Sequence, residues 1–157
     1  MHVSGEFLCA ESLDSRCLLT TISLANLGSA GFTIFGADAN DESGGSVSNA
    51  GDVNGDGFDD LLIGAYRGDG SGNTKSNAGE SYVIFGGISL PATIKVASLG
   101  SAGITIFGVD VDDQRGRSVS SAGDVNEDGF DDLLIGAYRT GAAGNAKTLA
   151  GESYLIW

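Results

Sequence analysis

Residues 52–60 read DVNGDGFDD, and residues 124–132 read DVNEDGFDD. In each nonapeptide, oxygen-bearing side chains fall on alternate positions around a glycine that permits a sharp bend. They are Asp52, Asn54, Asp56 and Asp60 in the first, and Asp124, Asn126, Asp128 and Asp132 in the second. Position 7, Phe58 or Phe130, is free to offer its backbone carbonyl. A hard cation such as Ca2+ takes roughly six to eight oxygens at about 2.3–2.6 Å, and a loop of this spacing can wrap one. We therefore expect two calcium sites per chain. Asp59 and Asp131, at position 8, should point away from the ion and receive no ligand role. The bland alternative is an Asp- and Gly-rich turn held by side-chain to backbone hydrogen bonds. Two loops with the same donor spacing and the same flanks favour calcium, and Glu127 replaces Gly55 at a position that donates nothing.

The same opening pattern begins an EF-hand, which needs a bidentate Glu at position 12. Here position 12 is Ile63 or Ile135, inside the apolar run LLIGA. The ninth residue must close the site instead, and the short Leu- and Ile-rich run beside Gly64 or Gly136 reads as a buried strand rather than a helix.

Asp52 and Asp124 are 72 residues apart, and the same offset aligns Gly28 with Gly100, Gly36 with Gly108, Tyr66 with Tyr138 and Gly79 with Gly151. Residues 28–85 and 100–157 align without a gap, about two-thirds of the positions being identical. A long fixed period marks solenoids, propellers and arrays. Within the first unit, strands are expected at 32–36, 46–51, 61–66 and 80–86, and within the second at 104–108, 118–123, 133–138 and 152–157. The 26 glycines, the single proline (Pro91) and the frequent turn signals agree with an all-β chain. Four antiparallel strands per unit describe a propeller blade. The expected organisation is an N-terminal segment of little pattern (1–27), one blade unit at 28–99 and a second at 100–157.

The run SVSNAGDVNGDGFDDLLIGA followed by GESYVIFG, present twice in the same order, resembles the FG-GAP repeat, the calcium-binding blade of integrin α-subunit propellers and of many bacterial surface proteins. The resemblance covers nearly all of 28–157. It implies that the acidic loop joins the first two strands of a blade and holds Ca2+ at the rim through the donors named above. It also implies an extracellular or cell-surface location. Two departures stand out. The usual Phe-Gly before the first strand is Ser43-Gly44 and Arg115-Gly116, and the usual Gly-Ala-Pro is Gly64-Ala65-Tyr66 and Gly136-Ala137-Tyr138. These positions pack between blades in the family, so blade-to-blade packing is where this chain should differ.

Closed propellers have about four to eight blades, and two cannot close a ring. Either the ring is completed by sequence not present here, or three or four chains assemble head to tail, since heterologous interfaces close when the rotation allows. Residues 32–36 look like the outermost strand of a preceding blade, and 152–157 like the third strand of a last one, so one copy's first strand suits another's last blade. The net charge of −13 argues against nucleic acid and suits cation sites, while serving solubility as well. No membrane span and no signal peptide are legible. Cys9 and Cys17 are open to a disulfide or to free thiols.

Enzymatic chemistry has little to stand on. The single histidine, His2, supports no catalytic triad, and the aspartates are accounted for by metal. Tyr66, Tyr82, Tyr138, Tyr154, Phe85 and Trp157 occupy strand positions where core packing is the first expectation. Arg67-Gly68-Asp69 spells a tripeptide that integrins recognise, but the second unit reads Arg139-Thr140-Gly141, and chance explains it. The function expected is a calcium-binding β-propeller scaffold for binding or adhesion, not an enzyme, with an unknown protein or glycan ligand. The alternatives are the propeller domain of a secreted hydrolase and a lectin-like propeller.

Overall fold

The computed structural model describes residues 22–141 and 149–157; His2, Cys9 and Cys17 lie outside them. Nine strands and a few 3₁₀ turns make up the described residues, with no α-helix among them. The strands are β1 (Thr33–Phe35), β2 (Ser46–Gly51), β3 (Asp60–Ala65), β4 (Glu80–Ile84), β5 (Thr93–Lys95), β6 (Gly103–Phe107), β7 (Ser118–Gly123), β8 (Asp132–Ala137) and β9 (Glu152–Ile156). They form a four-stranded sheet in the order β2-β3-β4-β6, a three-stranded sheet β7-β8-β9 and a two-stranded pair β1-β5. The larger sheets are antiparallel throughout. This is the architecture of propeller blades stacked face to face, and all eight expected strands are present, with ends shifted by a residue or two.

The central strand β3 explains the stacking. Its run DLLIGA sends Leu62 to one face and Ile63 to the other, as alternation along a strand requires, and both are buried. On the first face Ala50, Leu62 and Val83 meet Val119, Leu133 and Ile135 of the second sheet, with Ile106 and Ile156 packed alongside. On the second face Ile63, Tyr82 and Ile84 meet Ile94 and Val96, with Phe32 and Ile34 alongside. A strand covered on both sides reads as a continuous apolar run, and β3 does.

The sheets are offset from the sequence repeat. The hairpins β2-β3-β4 are consecutive, and the fourth strand is β6, from the opening of the second unit, which pairs Glu80 with Phe107 and Ile84 with Gly103. The matching segment of the first unit is β1. It pairs instead in parallel with β5, Thr33 opposite Thr93. β5 was not anticipated, because TIK is only three residues long, follows Pro91 closely and alternates with exposed side chains. Among the described residues the second sheet has three strands.

Aromatic placement only partly follows expectation. Tyr82 is buried, Phe85, Tyr66 and Tyr154 are half-buried, and Tyr138 and Trp157 are exposed. Of the departures noted before the first strands and after LLIGA, Arg115-Gly116 and Gly64-Ala65-Tyr66 sit between the two sheets, where the Gly116 carbonyl lies against Gly64 and the Arg115 backbone against Gly79. The guanidinium of Arg117 lies 4.7 Å from the ring centre of Tyr66 and 4.9 Å from that of Tyr138, a cation between two π faces. Arg115 stacks on Tyr154 at 4.9 Å and donates to its hydroxyl at 2.8 Å.

Leu62 and Leu134 are repeat equivalents, yet Leu62 is fully buried and Leu134 is 40 % exposed. Leu62→Ala should therefore cost about 2–5 kcal/mol and Leu134→Ala less than about 1 kcal/mol, measured by denaturant unfolding at low protein concentration. Equal losses would mean that the second sheet does not cover the first.

Candidate metal centre

Each acidic loop is entered through a bulge at the end of the first strand, between Asn49 and Gly51 in one unit and Ser121 and Gly123 in the other. Gly51 and Gly123 take φ of 75° and 69° there, a left-handed conformation that glycine adopts without strain. Beyond the bulge Asp52 turns its carboxylate into the loop. Its Oδ1 accepts the amides of Gly55 (2.8 Å) and Asp56 (3.1 Å), and its Oδ2 that of Gly57 (2.8 Å). Asn54 Oδ1 accepts the Asp56 amide at 2.8 Å, and Asp56 Oδ1 accepts that of Phe58 at 2.9 Å. Asn54 Nδ2 donates to Asp56 Oδ2 at 3.0 Å.

The second loop repeats this wiring in all but the bond from the fourth-position amide. Asp124 accepts from Asp128 (3.0 Å) and Gly129 (2.9 Å), Asn126 from Asp128 (3.0 Å), and Asp128 from Phe130 (3.0 Å), while Asn126 Nδ2 donates to Asp128 at 2.8 Å. Asp52, Asn54 and Asp56, and equally Asp124, Asn126 and Asp128, are thus brought together in one small loop each.

The ninth residues behave differently. Asp60 and Asp132 open β3 and β8 and are buried. Asp60 Oδ2 accepts the Val53 amide at 3.1 Å and Oδ1 that of Gly86 at 2.8 Å, while Asp132 Oδ2 accepts the Val125 amide at 2.8 Å. Burial pushes the Asp60 carboxyl above its ordinary range, the Gly86 and Val53 amides pull it back, and the charges of Asp56 and Asp52 push it up again. Among the described residues no three His, Cys, Asp or Glu side chains are gathered as a metal cage. What each loop holds is an oxygen-only donor set. Asp52 Oδ1 accepts two amides, but Asp52 Oδ2, Asn54 Oδ1 and both Asp56 oxygens accept one hydrogen bond each and retain a lone pair for a hard cation.

Of the position-8 residues, given no role from sequence, Asp131 connects the loops, while Asp59 accepts from Asn49 Nδ2 at 3.4 Å within its own unit. Asp131 Oδ2 accepts the amide of Asp52 at 2.9 Å, and the Asp131 amide donates to the Asp52 carbonyl at 3.2 Å. A Cβ on Gly51 would collide with that Asp131 carboxylate, and one on Gly55 with the Phe130 ring. The two loops therefore lie side by side on one rim. The signal for this was a glycine before each loop and an acid at position 8, but their meeting across sheets needs the fold to be seen.

Compared with known protein families, residues 43–84 and residues 115–156 each match the FG-GAP repeat. The chain belongs to the FG-GAP repeat family. The matched stretches together cover more than half of it, and in each FG-GAP repeat the match runs from the turn before the first strand to the end of the third. No curated protein matches the chain.

The Arg67-Gly68-Asp69 tripeptide is committed to the first FG-GAP repeat. Arg67 pairs with Glu42 at 2.8 Å, Gly68 is buried against Glu80, and Asp69 Oδ1 accepts the Asn77 amide at 3.0 Å. No helix among the described residues is long and apolar enough to cross a membrane.

Glu127 stands where Gly55 does and is held at φ 60°, a conformation that L side chains adopt at a cost. Glu127→Gly should raise stability by about 1 kcal/mol, or about 2–4 °C in Tm, in calcium-free buffer. A lower Tm would show that the Glu127 side chain supports the loop.

Proposed function

We propose that this chain is a calcium-stabilised pair of propeller blades that works as an extracellular binding or adhesion scaffold and carries no catalytic centre of its own. In this reading Ca2+ is structural. In the first repeat it is held by Asp52, Asn54, Asp56, the carbonyl of Phe58 and Asp60, and in the second by Asp124, Asn126, Asp128, the carbonyl of Phe130 and Asp132. The ion would supply positive charge to a rim where carboxylates otherwise repel one another.

The observation that carries the reading is the duplicated wiring of the two loops: the same three side chains in each turn their oxygens inward, and the fourth lies buried at the start of the next strand. The chain's net charge of −13 adds to it, because bound cations would offset part of that charge. Extracellular modules of this kind bind calcium at about 10⁻⁴–10⁻³ M. The scaffold role rests on membership of the FG-GAP repeat family; nothing favours a hydrolase or lectin reading over it.

At 10 mM free calcium, such affinities stabilise by about 1.4–2.7 kcal/mol per site. At about 2–4 °C per kcal/mol, the chain should gain several degrees of Tm over a chelated sample. Asp56→Asn with Asp128→Asn keeps an acceptor for the Phe58 and Phe130 amides while removing one charge from each loop. The double variant should keep its Tm in chelator to within about 2 °C and lose most of the calcium-induced rise. A calcium rise undiminished in the variant, or absent in the parent, would contradict the assignment.

A further inference from the structure

The two acidic loops differ at their fourth position in more than the residue. In the first, the Gly55 amide donates to Asp52 Oδ1 at 2.8 Å. In the second, Glu127 stands there, and among the described residues Asp124 Oδ1 accepts the Asp128 amide at 3.0 Å but no bond from the Glu127 amide. The other bonds within the turn each have their counterpart. The backbone is alike as well, with φ of 75° at Gly55 and 60° at Glu127. The contrast is therefore local.

That bond sits at a reactive place. Asn54-Gly55 is the chain's single Asn-Gly step; every other asparagine is followed by Leu, Asp, Ala, Thr or Glu. The Cγ of an asparagine is open to attack by the amide nitrogen of the next residue, and two things oppose it: the bulk of that residue's side chain and the weak acidity of its N–H. Glycine, having no Cβ, removes the first. Here the second is met too, because the Gly55 N–H points at the Asp52 carboxylate, and a carboxylate within hydrogen-bond reach of the proton to be removed is placed as a general base. The Asn54 side chain is itself held, its Oδ1 accepting the Asp56 amide at 2.8 Å and its Nδ2 donating to Asp56 Oδ2 at 3.0 Å. These bonds fold it forward along the chain, past the Gly55 peptide. Gly55 and Asp56 are exposed, so water reaches the turn.

We propose that Asn54 is a self-modifying site, at which Asp52 takes the Gly55 amide proton, the nitrogen closes on Asn54 Cγ, and the first loop alone converts its asparagine to aspartate and isoaspartate. The bond from Gly55 N to Cγ forms and the Cγ–Nδ2 bond breaks. The proton taken by Asp52 returns through solvent to the departing nitrogen, which leaves as ammonia. Water then opens the five-membered imide. Cleavage of the new bond gives aspartate, and cleavage of the original peptide bond gives isoaspartate. Nothing is oxidised or reduced, and Asp52 is regenerated. In the second loop Glu127 presents a side chain beside the nitrogen, and its N–H lacks the bond to Asp124.

Either product changes the rim. An aspartate at 54 loses the donor to Asp56 Oδ2 and sets a second carboxylate against it. An isoaspartate also threads the side-chain methylene into the backbone, lengthening the turn in which Asp52 gathers the amides of Gly55, Asp56 and Gly57. Gly55 is then displaced from its place against the Phe130 ring of the second loop. The first loop ages out of its contact while the second keeps its wiring. The reaction needs no metal, so it stands or falls apart from the calcium assignment.

The test is incubation of the chelator-stripped 157-residue chain in warm, mildly alkaline, calcium-free buffer, followed over weeks by trypsin digestion and mass spectrometry. Cleavage after Arg67, Arg117 and Arg139 puts the loops on separate peptides. The Asn54 peptide should gain one dalton and split into two chromatographic forms about tenfold faster, or more, than the Asn126 peptide reacts. In urea, Asn54 should convert no faster than in the folded chain. Asp52→Asn keeps an acceptor for the Gly55 amide but no base; it should slow the folded chain's conversion about threefold or more and leave the rate in urea unchanged. Glu127→Gly should bring Asn126 to about ten times its parent rate. An Asn54 that survives in the folded chain while converting in urea would overturn the proposal, as would equal rates at Asn54 and Asn126. A folded Asp52→Asn chain reacting at the parent's rate would overturn it too. If circular dichroism shows that variant unfolded, Glu127→Gly decides, and an Asn126 no faster than in the parent would be the contradicting result.

Discussion

The structure depends on a close backbone approach between sheets. The carbonyl of Gly116, before the first strand of the second sheet, occupies the place that a side chain on Gly64 would need. Only a residue without a Cβ lets the sheets come this near. Once they do, Leu62 and Val83 are sealed against Leu133 and Ile135, and the Arg117 guanidinium slides between Tyr66 and Tyr138. The tyrosines that replace the customary proline after Gly-Ala are therefore packing partners of the arginine, the chain's own solution to blade contact.

The acidic loops are tied to that contact. Asp131 reaches from one loop to the backbone of Asp52 in the other, and the Phe130 ring lies over Gly55. A change in one loop is thereby felt by its neighbour and by the packing beneath, since Val53 and Ile156 border the same core. Calcium at the rim would act through this link, holding the sheets in their mutual register rather than stabilising two isolated turns. Buried Asp60 is pushed toward its neutral form by burial, against the pull of the Gly86 and Val53 amides and with the added push of Asp56 and Asp52.

Much of this was legible in the residues. The eight main strands could be read because each is an apolar or alternating run bounded by Gly, Asn or Asp, and the acidic loops fixed where β3 and β8 begin. The contacts that the sequence left open are those decided at a distance. β1 meets β5, some sixty residues later, through a three-residue segment with no pattern of its own. The Arg117 sandwich needs two tyrosines from different repeats, and the Asp131 bridge an acid that a loop-by-loop reading leaves facing solvent. At Asp60 the spacing identified an oxygen at the ninth place but not its burial, because the Gly86 amide that claims it lies beyond the next hairpin.

The most direct test of the account is the number of calcium ions held per chain, by equilibrium dialysis of the chelator-stripped protein at millimolar free calcium. The account predicts two, falling toward none in Asp56→Asn/Asp128→Asn. Fewer than one in the parent, or two that survive in the variant, would contradict it.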